Sequence, residues 1–359
     1  MRAGVYRESI TIGISGTADA PLVIKAAPDE KVILDGADTL TGWTQCSSAD
    51  EIGGNLNWQN IYFTNAPNGS NRIRINLMQN DSILAIGQLP EASNPFYDEN
   101  TGEWFPTPTT SGAFTHSSIT DPEHLTQTED NYWVGAYIKI NTGNNVVYIK
   151  RVTGYSGSEH KIYFESLSSS IELEPGKDTY ALSNHPSLLD KPGKYYYDEN
   201  NQRIYIWPLN TETVNKNITA TVRENAFYLS NKDYVQIVGF IIRKYHSINV
   251  YLINCNHIQI KNCVIKQGII GQDGGRGPSI RGYECSYCRV DSCQILYNKH
   301  ASGVIFQNGS YNTVAYCIMR RTGSTVVDFY GEDNSELLYN DLRYCNGQHA
   351  NGLTCYLGC

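Results

Sequence analysis

The sequence predicts an all-β chain in which a solenoid of stacked strands is interrupted by a second β-domain. Short runs rich in Val and Ile recur about every 24 residues in the last third of the chain. Cysteines in this part of the chain follow the same step. The residues from 37 to 220 lack that period and show hairpin patterns instead. We therefore expect three segments, at 1–36, 37–220 and 221–359.

The composition excludes several classes of protein. The 359 residues are 40% hydrophobic and 18% charged, a balance that builds a packed core and differs from that of a disordered chain. No apolar run reaches the roughly 18 residues that a membrane-spanning helix needs. The net charge of −8 argues against nucleic acid as a partner, because phosphate contacts need a basic surface.

The repeat consists of strand-like runs that are separated by Asn, Gly and Ser. Val290, Val314 and Leu338 follow one another at equal steps of about 24 residues, the expected length of one coil. The period of 3.6 residues that helical repeats show is absent from this stretch of sequence. One coil cannot bury its apolar side alone, so stacking at about 4.8 Å is expected to give one continuous core.

The repeat also accounts for the cysteines, nine of which follow residue 254. Cys263, Cys293 and Cys317 share one register, and Asp341 is expected to continue it. A stack of buried thiols is favoured over disulfides, since a free cysteine packs as a small hydrophobic side chain. The Cys-Ser-Tyr-Cys run at 285–288 has the spacing of a zinc-ligand pair, but no second pair follows at a suitable distance. We therefore predict no metal site.

The segment 37–220 is predicted to form an inserted, β-sandwich-like domain with antiparallel strands. Its clearest element lies at 194–207, where two alternating runs flank Asp-Glu-Asn-Asn, a pattern typical of a β-hairpin. A long loop is expected between Pro90 and Pro108, where Asn, Gly and Thr separate aromatic residues.

Three phrases near the start resemble the first coils of a known superfamily. They are Arg-Ala-Gly-Val-Tyr-Arg-Glu-Ser-Ile at 2–10, Gly-Thr-Ala-Asp-Ala-Pro-Leu-Val-Ile-Lys-Ala at 16–26 and Val-Ile-Leu-Asp-Gly at 32–36. With the repeat, they resemble the right-handed parallel β-helix superfamily of extracellular glycoside hydrolases and polysaccharide lyases. The resemblance implies a pectate-lyase-like solenoid. In relatives a cap and a strand precede the first phrase, so we expect a fragment that lacks its N-terminal cap and its C-terminal end.

The resemblance implies that the protein acts on a polysaccharide or oligosaccharide. A secreted or cell-surface location is expected, although the first residues show no signal-peptide pattern. Glycoside hydrolases cleave with two carboxylates, and a solenoid spaces adjacent coils at about 4.8 Å, near the roughly 5–5.5 Å that retaining enzymes use. In the insert, Trp104, Phe105, Tyr132 and Trp133 are candidates for a sugar-stacking wall or, alternatively, for the domain core.

Asp328 and Glu332 are the candidate catalytic carboxylates. Alternation along the strands predicts an outward row of Arg281, Ile305, Asp328 and Thr354, in which Asp328 is the carboxylate. Glu332 follows in an acidic turn that could alternatively be merely solvated.

The edge on which Glu332 lies is predicted from the coil period. Glu332 comes one full step after Asn308, which itself comes one full step after Glu284, so the three side chains are expected to align.

The candidate substrate contacts are Arg281, His300, His349 and Asp333. The two histidines precede strands of the same face, although each could alternatively be a turn residue with local hydrogen bonds. The step from Cys263 to Cys293 is longer than the next step of the cysteine ladder, because 268–278 lengthen a coil. We expect this segment to form a loop over the groove.

Two alternatives to a hydrolase stay open. A polysaccharide lyase would remove a proton beside a uronate carboxylate with Lys or Arg, and with calcium to neutralise charge; Lys299, Arg281, Arg320 and Arg321 are candidates. The Lys-Ser-x-x-Asn and Arg-His-Gly runs of such lyases are not found, which favours the hydrolase. The other alternative is a non-catalytic carbohydrate-binding or adhesion β-helix. No cofactor is expected for a hydrolase, and the sugar, the linkage and the oligomeric state are not predicted.

Overall fold

The computed structural model describes residues 1–70, 75–94, 100–143, 146–211, 217–268, 277–299, 302–345 and 351–356. Three parallel sheets run along a solenoid, and we name them sheets A, B and C. Sheet A contains, in spatial order, Gly4–Tyr6, Val32–Asp35, Ile241–Arg243, Val264–Lys266, Gln294–Asn298, Ile318–Thr322 and Asp341–Arg343. Sheet B contains Ile10–Ile12, Phe227–Ser230, Val250–Ile253, Ile280–Tyr283, Val304–Gln307, Val327–Tyr330 and Leu353–Tyr356. Sheet C contains Leu22–Lys25, Val235–Val238, Gln259–Lys261, Arg289–Asp291, Thr313–Ala315 and Glu336–Leu338.

The first coil and the later coils form one solenoid. Val32–Asp35 pairs in parallel with Ile241–Arg243, although the whole insert separates the two strands in the sequence. Leu22–Lys25 pairs in the same way with Val235–Val238. The right-handed parallel β-helix that the sequence predicts is therefore confirmed, and the intervening chain leaves the solenoid after Asp35 and returns to it at Phe227.

Each coil turns at residues in the left-handed region of backbone space. In the coil that starts at Val304, the bends fall at Asn308, Tyr311, Tyr316 and Arg321, whose φ angles lie between 54° and 59°. Asparagine adopts this conformation at little cost, whereas tyrosine does not. Tyr311 is compensated by ring stacking, because its centroid lies 5.0 Å from that of Tyr287 one coil earlier.

The solenoid core consists of ladders of inward side chains, as the sequence predicts. Alternation places Val304 and Phe306 inward on sheet B, above Val327 and Phe329 of the next coil, and all four are buried. Since neighbouring coils present the same side chain at the same depth, each coil covers the apolar surface of the one before it.

The cysteine stack is confirmed. Cys263, Cys293 and Cys317 are free thiols that are 1% exposed, and they belong to the solenoid core. The thiol of Cys293 lies 3.5 Å from the carbonyl oxygen of Ile260, and that of Cys317 lies 3.7 Å from the carbonyl of Val290. These weak contacts bind successive coils without disulfides.

The prediction of a constant step is wrong for the last coil. Val314 pairs with Leu337 rather than Leu338, so this coil is one residue shorter than the one before it. As a consequence, Asn340 and not Asp341 continues the cysteine register. The backbone N–H of Cys317 donates to Oδ1 of Asn340 at 2.8 Å.

The insert contains three further sheets, named D, E and F. Sheet D contains Ala37–Thr39, Ile218–Thr221, Leu77–Gln79 and Ser82–Ile83. Sheet E contains Ala85–Ile86, Lys194–Asp198, Arg203–Trp207, Tyr62–Asn65 and Thr44–Gln45. Sheet F contains Gln88–Leu89, Thr179–Ser183, Tyr137–Thr142, Val146–Ser156, Lys161–Phe164 and Ser118–Thr120, with Phe105–Pro106 paired to Thr179–Ser183. Short 3₁₀ helices lie at Asp50–Ile52, Trp58–Asn60, Thr101–Glu103 and Pro186–Leu188.

The predicted hairpin at 194–207 is confirmed, since Lys194–Asp198 pairs antiparallel with Arg203–Trp207. Sheets D and E share an apolar core that includes Leu77 and Ile204, which is a sandwich-like arrangement. Sheet F encloses a separate core around Trp133 and Ile138. The described part of the insert therefore packs around more than one apolar core. In the described residues, no helix has the length and apolarity to cross a membrane.

Candidate functional site

The outer face of sheet B carries two rows of side chains that run along the solenoid. The pairing of strands aligns Arg281 with Ile305, Ile305 with Asp328, and Asp328 with Thr354, which confirms the predicted row. Two residues further along each strand lies a second outward row, which the sequence analysis missed. Its members in the four late coils are Tyr283, Gln307, Tyr330 and Tyr356.

The tyrosines continue into the earlier coils on the same face. Tyr228 and Tyr251 precede Arg281 in its row, and their rings lie 5.8 Å apart at 67°. Five of the seven described strands of sheet B therefore carry an outward tyrosine, whereas Val304–Gln307 presents Ile305 and Gln307. The signal was present in the sequence, because an outward residue at one strand position implies an outward residue two positions later.

Among the described residues, Asp328 is the acidic side chain of this face. It is half-buried, with Ile305 on one side and Thr354 on the other. Its Oδ1 atom is buried and has no hydrogen-bond partner among the described residues. Burial raises the pKa of Asp328, because the carboxylate loses water without gaining a donor. A carboxyl group of this kind retains its proton to higher pH and can donate it.

Arg281 lies two strands away from Asp328, about 10 Å at the usual strand spacing. Its Nη2 donates to Oε1 of Gln307 at 2.6 Å, and its guanidinium carbon is 6.0 Å from the centre of the Tyr283 ring. These contacts fix the guanidinium above the sheet. Its Nε is buried and has no hydrogen-bond partner among the described residues.

Glu332 lies inside the solenoid and not beside Asp328. It is 1% exposed, and Oε1 accepts from the backbone N–H of Gly309 at 2.7 Å. Oε2 accepts from Nδ2 of Asn312 at 2.6 Å and from the hydroxyl of Ser335 at 2.8 Å. Burial raises the pKa of Glu332, and these hydrogen bonds offset only part of that effect. Both oxygens accept hydrogen bonds from protein groups, so this carboxylate links neighbouring coils of the solenoid.

The predicted alignment of Glu332 fails for the same reason as that of Asp341. The step from sheet B of one coil to the next is one residue shorter here than predicted, because Gln307 pairs with Tyr330. Asn308 therefore lies beside Gly331, and Glu332 lies beside Gly309. A shift of one residue reverses which side of the backbone a side chain occupies, so Glu332 points inward.

Asp333 is exposed at the corner between sheets B and C, where it bridges to Ser310. This corner is a different surface from the face that holds Asp328. His300 and His349 lie outside the described residues, as do residues 269–276 of the lengthened coil. The lengthening itself is confirmed, since the step from Val250 to its partner Ile280 is longer than the step from Ile280 to its partner Val304.

The basic residues that a lyase would use are dispersed. Lys299 is 2% exposed. Arg320 projects from sheet A and forms an ion pair with Asp341, whose pKa is held below its usual range by Arg320 and then by Arg343. Of these residues only Arg281 belongs to the outer face of sheet B. Within the described ranges, no group of three or more His, Cys, Asp and Glu side chains is arranged to hold a metal ion.

The aromatic residues of the insert divide into core and surface. Trp104 and Trp133 are 5% and 1% exposed and belong to cores, so they cannot stack on a ligand. Phe105 is half-buried and stacks on His124 at 4.0 Å. Tyr132 is half-buried and lines a cavity. The predicted aromatic wall is therefore reduced to Tyr132.

A family match and one solved structure support the fold. Residues 194–359 match the family model for a right-handed beta helix region. A solved glycoside hydrolase is similar over 98% of this chain and 89% of its own, with a TM-score of 0.56 at 11% identity. The structure of XylC in complex with xylose is similar over 95% of this chain and 58% of its own, with a TM-score of 0.42 at 10% identity. The search of curated proteins found no match. The fold of this chain is thus that of a right-handed parallel β-helix, and the family match covers its later part.

Proposed function

We propose that the protein is a carbohydrate-active enzyme, a glycoside hydrolase, that binds a polysaccharide or oligosaccharide along the outer face of sheet B and uses Asp328 as its general acid. The observation that carries this proposal is the half-buried carboxyl group with an unpartnered Oδ1 among rows of tyrosines. Because such an enzyme acts on polymers outside the cell, a secreted or cell-surface location is part of the proposal.

Cleavage of a glycosidic bond requires a proton on the departing oxygen while the bond from that oxygen to the anomeric carbon breaks. Asp328 supplies this proton, and burial raises its pKa, so that it retains the proton to higher pH than an exposed aspartate does. Water then completes the reaction by adding hydroxide to the anomeric carbon and returning a proton to the carboxylate. The proposal assigns only the proton donor, since Glu332 and Asp333 lie elsewhere.

The remaining side chains of the face bind and orient the sugar. Tyrosine rings offer flat apolar surfaces that pack against the C–H face of a pyranose, as aromatic side chains do at many ligand sites. Arg281 and Gln307 lie between the rings and offer hydrogen-bond donors to sugar hydroxyl groups. The similarity of fold to a solved glycoside hydrolase supports this reading.

The proposal is tested by incubating the protein with plant, algal and host polysaccharides while reducing ends and ultraviolet absorbance are followed together. Reducing ends that increase without absorbance are expected. Asp328→Asn should lower turnover by about 10²–10⁴-fold, the usual contribution of a general acid. Glu336→Gln is the matched control, because Glu336 is an exposed carboxylate of the same coil on sheet C.

Substrates with different leaving groups distinguish the loss of a general acid from general damage to the protein. Dinitrophenyl glycosides leave without protonation, so the Asp328→Asn variant should recover most of its rate on these substrates, and wild type should gain little. A variant that is equally impaired on both substrates would contradict the role of general acid. Absorbance that rises with the reducing ends would indicate a lyase, and binding without turnover would indicate an adhesion module.

A further inference from the structure

A second, separate cavity lies within the insert, between sheets E and F. Its volume is about 550 Å³, in the range of pockets that bind small molecules. Its walls come from the hairpin of sheet E, the loop that contains Tyr132, and the strand of sheet F that contains Arg151. None of these residues belongs to the face of sheet B.

The walls of the cavity are held in place by buried polar residues that satisfy one another. Nδ2 of Asn55 donates to the carbonyl oxygens of Pro186 and Leu189 at 2.7 and 3.1 Å. The side chain of Asn184 donates to the carbonyl of Tyr197 and accepts from its N–H, at 3.0 and 2.9 Å. The cavity is therefore formed before any ligand arrives, which lowers the entropic cost of binding.

His185 belongs to this framework and is not a catalytic group. Its Nδ1 accepts from the backbone N–H of Ser187, and its ring donates to the carbonyl of Tyr132. Burial lowers the pKa of His185 to about 4, so the ring is neutral at physiological pH. The hydrogen bond holds the loop of Tyr132, whose ring also packs edge-on against Trp133 at 5.0 Å.

The groups that remain for a ligand are a tyrosine ring, a guanidinium and carboxylates. Tyr132 presents an aromatic surface. Arg151 lies 3.9 Å from Glu199, which is longer than a hydrogen bond, so its donors can turn to a ligand. Glu129, Asp130, Asp198 and Glu199 outnumber the single cation by three, and the electrostatic field therefore repels anions.

We infer that this cavity is a binding site for a neutral saccharide of one or two residues. A tyrosine surface with surrounding donors and acceptors suits a ligand that is rich in hydroxyl groups and has apolar ring faces. The excess of carboxylates disfavours uronates. The choice of a sugar rests on the proposed function, whereas the site itself lies outside the proposed catalytic face.

The test measures binding to the full chain by isothermal titration calorimetry in the Asp328→Asn background, in which the consumption of substrate is expected to be about 10²–10⁴-fold slower. Xylobiose, cellobiose and maltose are the neutral probes, and digalacturonate is the anionic one. In this background we expect Tyr132→Ala to weaken binding of the neutral disaccharide roughly ten-fold, equivalent to about 1.4 kcal/mol of binding free energy. Arg151→Gln, which alters a partly exposed side chain, should weaken it as well without the risk of unfolding.

Tyr163→Ala is the matched control, since Tyr163 is an exposed tyrosine of sheet F outside the cavity. Retained affinity in that variant, with loss in the other two, supports the site. Unchanged affinity in both cavity variants overturns the inference, as does the absence of heat with every neutral probe. Tighter binding of digalacturonate overturns the choice of a neutral ligand. Wild-type turnover is measured in parallel, so failure of the proposed function is recognised independently.

Discussion

Substitution of Glu332 is the sharpest test of whether this carboxylate is structural. In Glu332→Ala, the backbone N–H of Gly309 loses its partner, and so does one amide hydrogen of Asn312. The hydroxyl hydrogen of Ser335 also loses its acceptor, but Ser335 is only half-buried, so water can replace that bond, and its oxygen still accepts from the N–H of Asn312. The other amide hydrogen of Asn312 keeps its bond to the carbonyl of Cys285.

The cost follows from those two donors. An unsatisfied buried donor costs about 1–3 kcal/mol, and part of this is recovered because a buried charge is removed. We expect a net loss of about 3 kcal/mol in the free energy of unfolding for Glu332→Ala. Glu332→Gln keeps one acceptor oxygen and should lose about 1 kcal/mol at neutral pH. The larger loss corresponds to a shift of the urea midpoint by about 1 M.

The assay must report on the late coils. All five tryptophans precede residue 208, so their fluorescence follows the insert. Pulsed thiol labelling of the buried Cys285 in increasing urea reports the right region, since its carbonyl accepts from Asn312. If Glu332→Ala labels at the same urea concentration as wild type but abolishes turnover, the structural assignment is refuted and Glu332 becomes a candidate catalyst.

The pH dependence offers an independent check of the same residue. The pKa of Glu332 is raised in the folded state, so between the unfolded and folded pKa values the native protein binds more protons. Its contribution to stability is therefore full below the unfolded pKa and is lost as the pH rises through the folded pKa. The difference in stability between wild type and Glu332→Gln should change across that interval, and a constant difference would contradict the raised pKa.

Three further predictions concern other parts of the chain. Because burial raises the pKa of Asp328, kcat/KM should fall as the pH rises through that pKa, and this basic limb should be absent from a pH profile of Asp328→Asn. Burial raises the pKa of Cys46 to about 12, so peptide mapping of native protein after alkylation at pH 8 should find Cys355 modified and Cys46 unmodified, and rapid labelling of Cys46 would contradict its burial. Gly282→Ala places a Cβ 2.5 Å from the Phe306 ring and should lower the free energy of unfolding by about 1–3 kcal/mol, whereas Gly13→Ala meets no atom within 4 Å and should leave it unchanged.

The solenoid was predictable because its signals are local and repeated. The same register appears twice in the sequence, once in the step from Val290 to Val314 and once in the step from Cys293 to Cys317. The strand pairing follows this register. The hairpin at 194–207 was predictable for a similar reason, because alternation and turn residues lie within one short segment. The multiple cores of the insert were not, since contacts such as that of Asn55 with Leu189 join residues that lie far apart in the sequence.

The candidate site was only half predictable, and the reason is geometric. Asp328 was placed correctly because its strand pairs with those of Ile305 and Thr354. The alternation of side chains along the strand then puts Asp328 on the outer face. Glu332 was misplaced because it follows the strand across a turn, where one residue fewer in the coil moves a side chain from outside to inside. Coil length therefore determines which turn residues reach the outer surface of this fold. Residues within a sheet strand can be assigned to a face from sequence, whereas residues in the turns need the coordinates.

The distinction between strand positions and turn positions also applies to the second outward row. Tyr283, Tyr330 and Tyr356 occupy strand positions, so their alignment does not depend on the length of the turns between them. A binding surface built on such positions survives insertions such as the lengthened coil before Ile280, because the extra residues enter a turn and leave the register of the strand intact. A catalytic pair has no such tolerance if one member lies in a turn. Asp328, which lies in a strand, is therefore the position on which a functional assignment can depend.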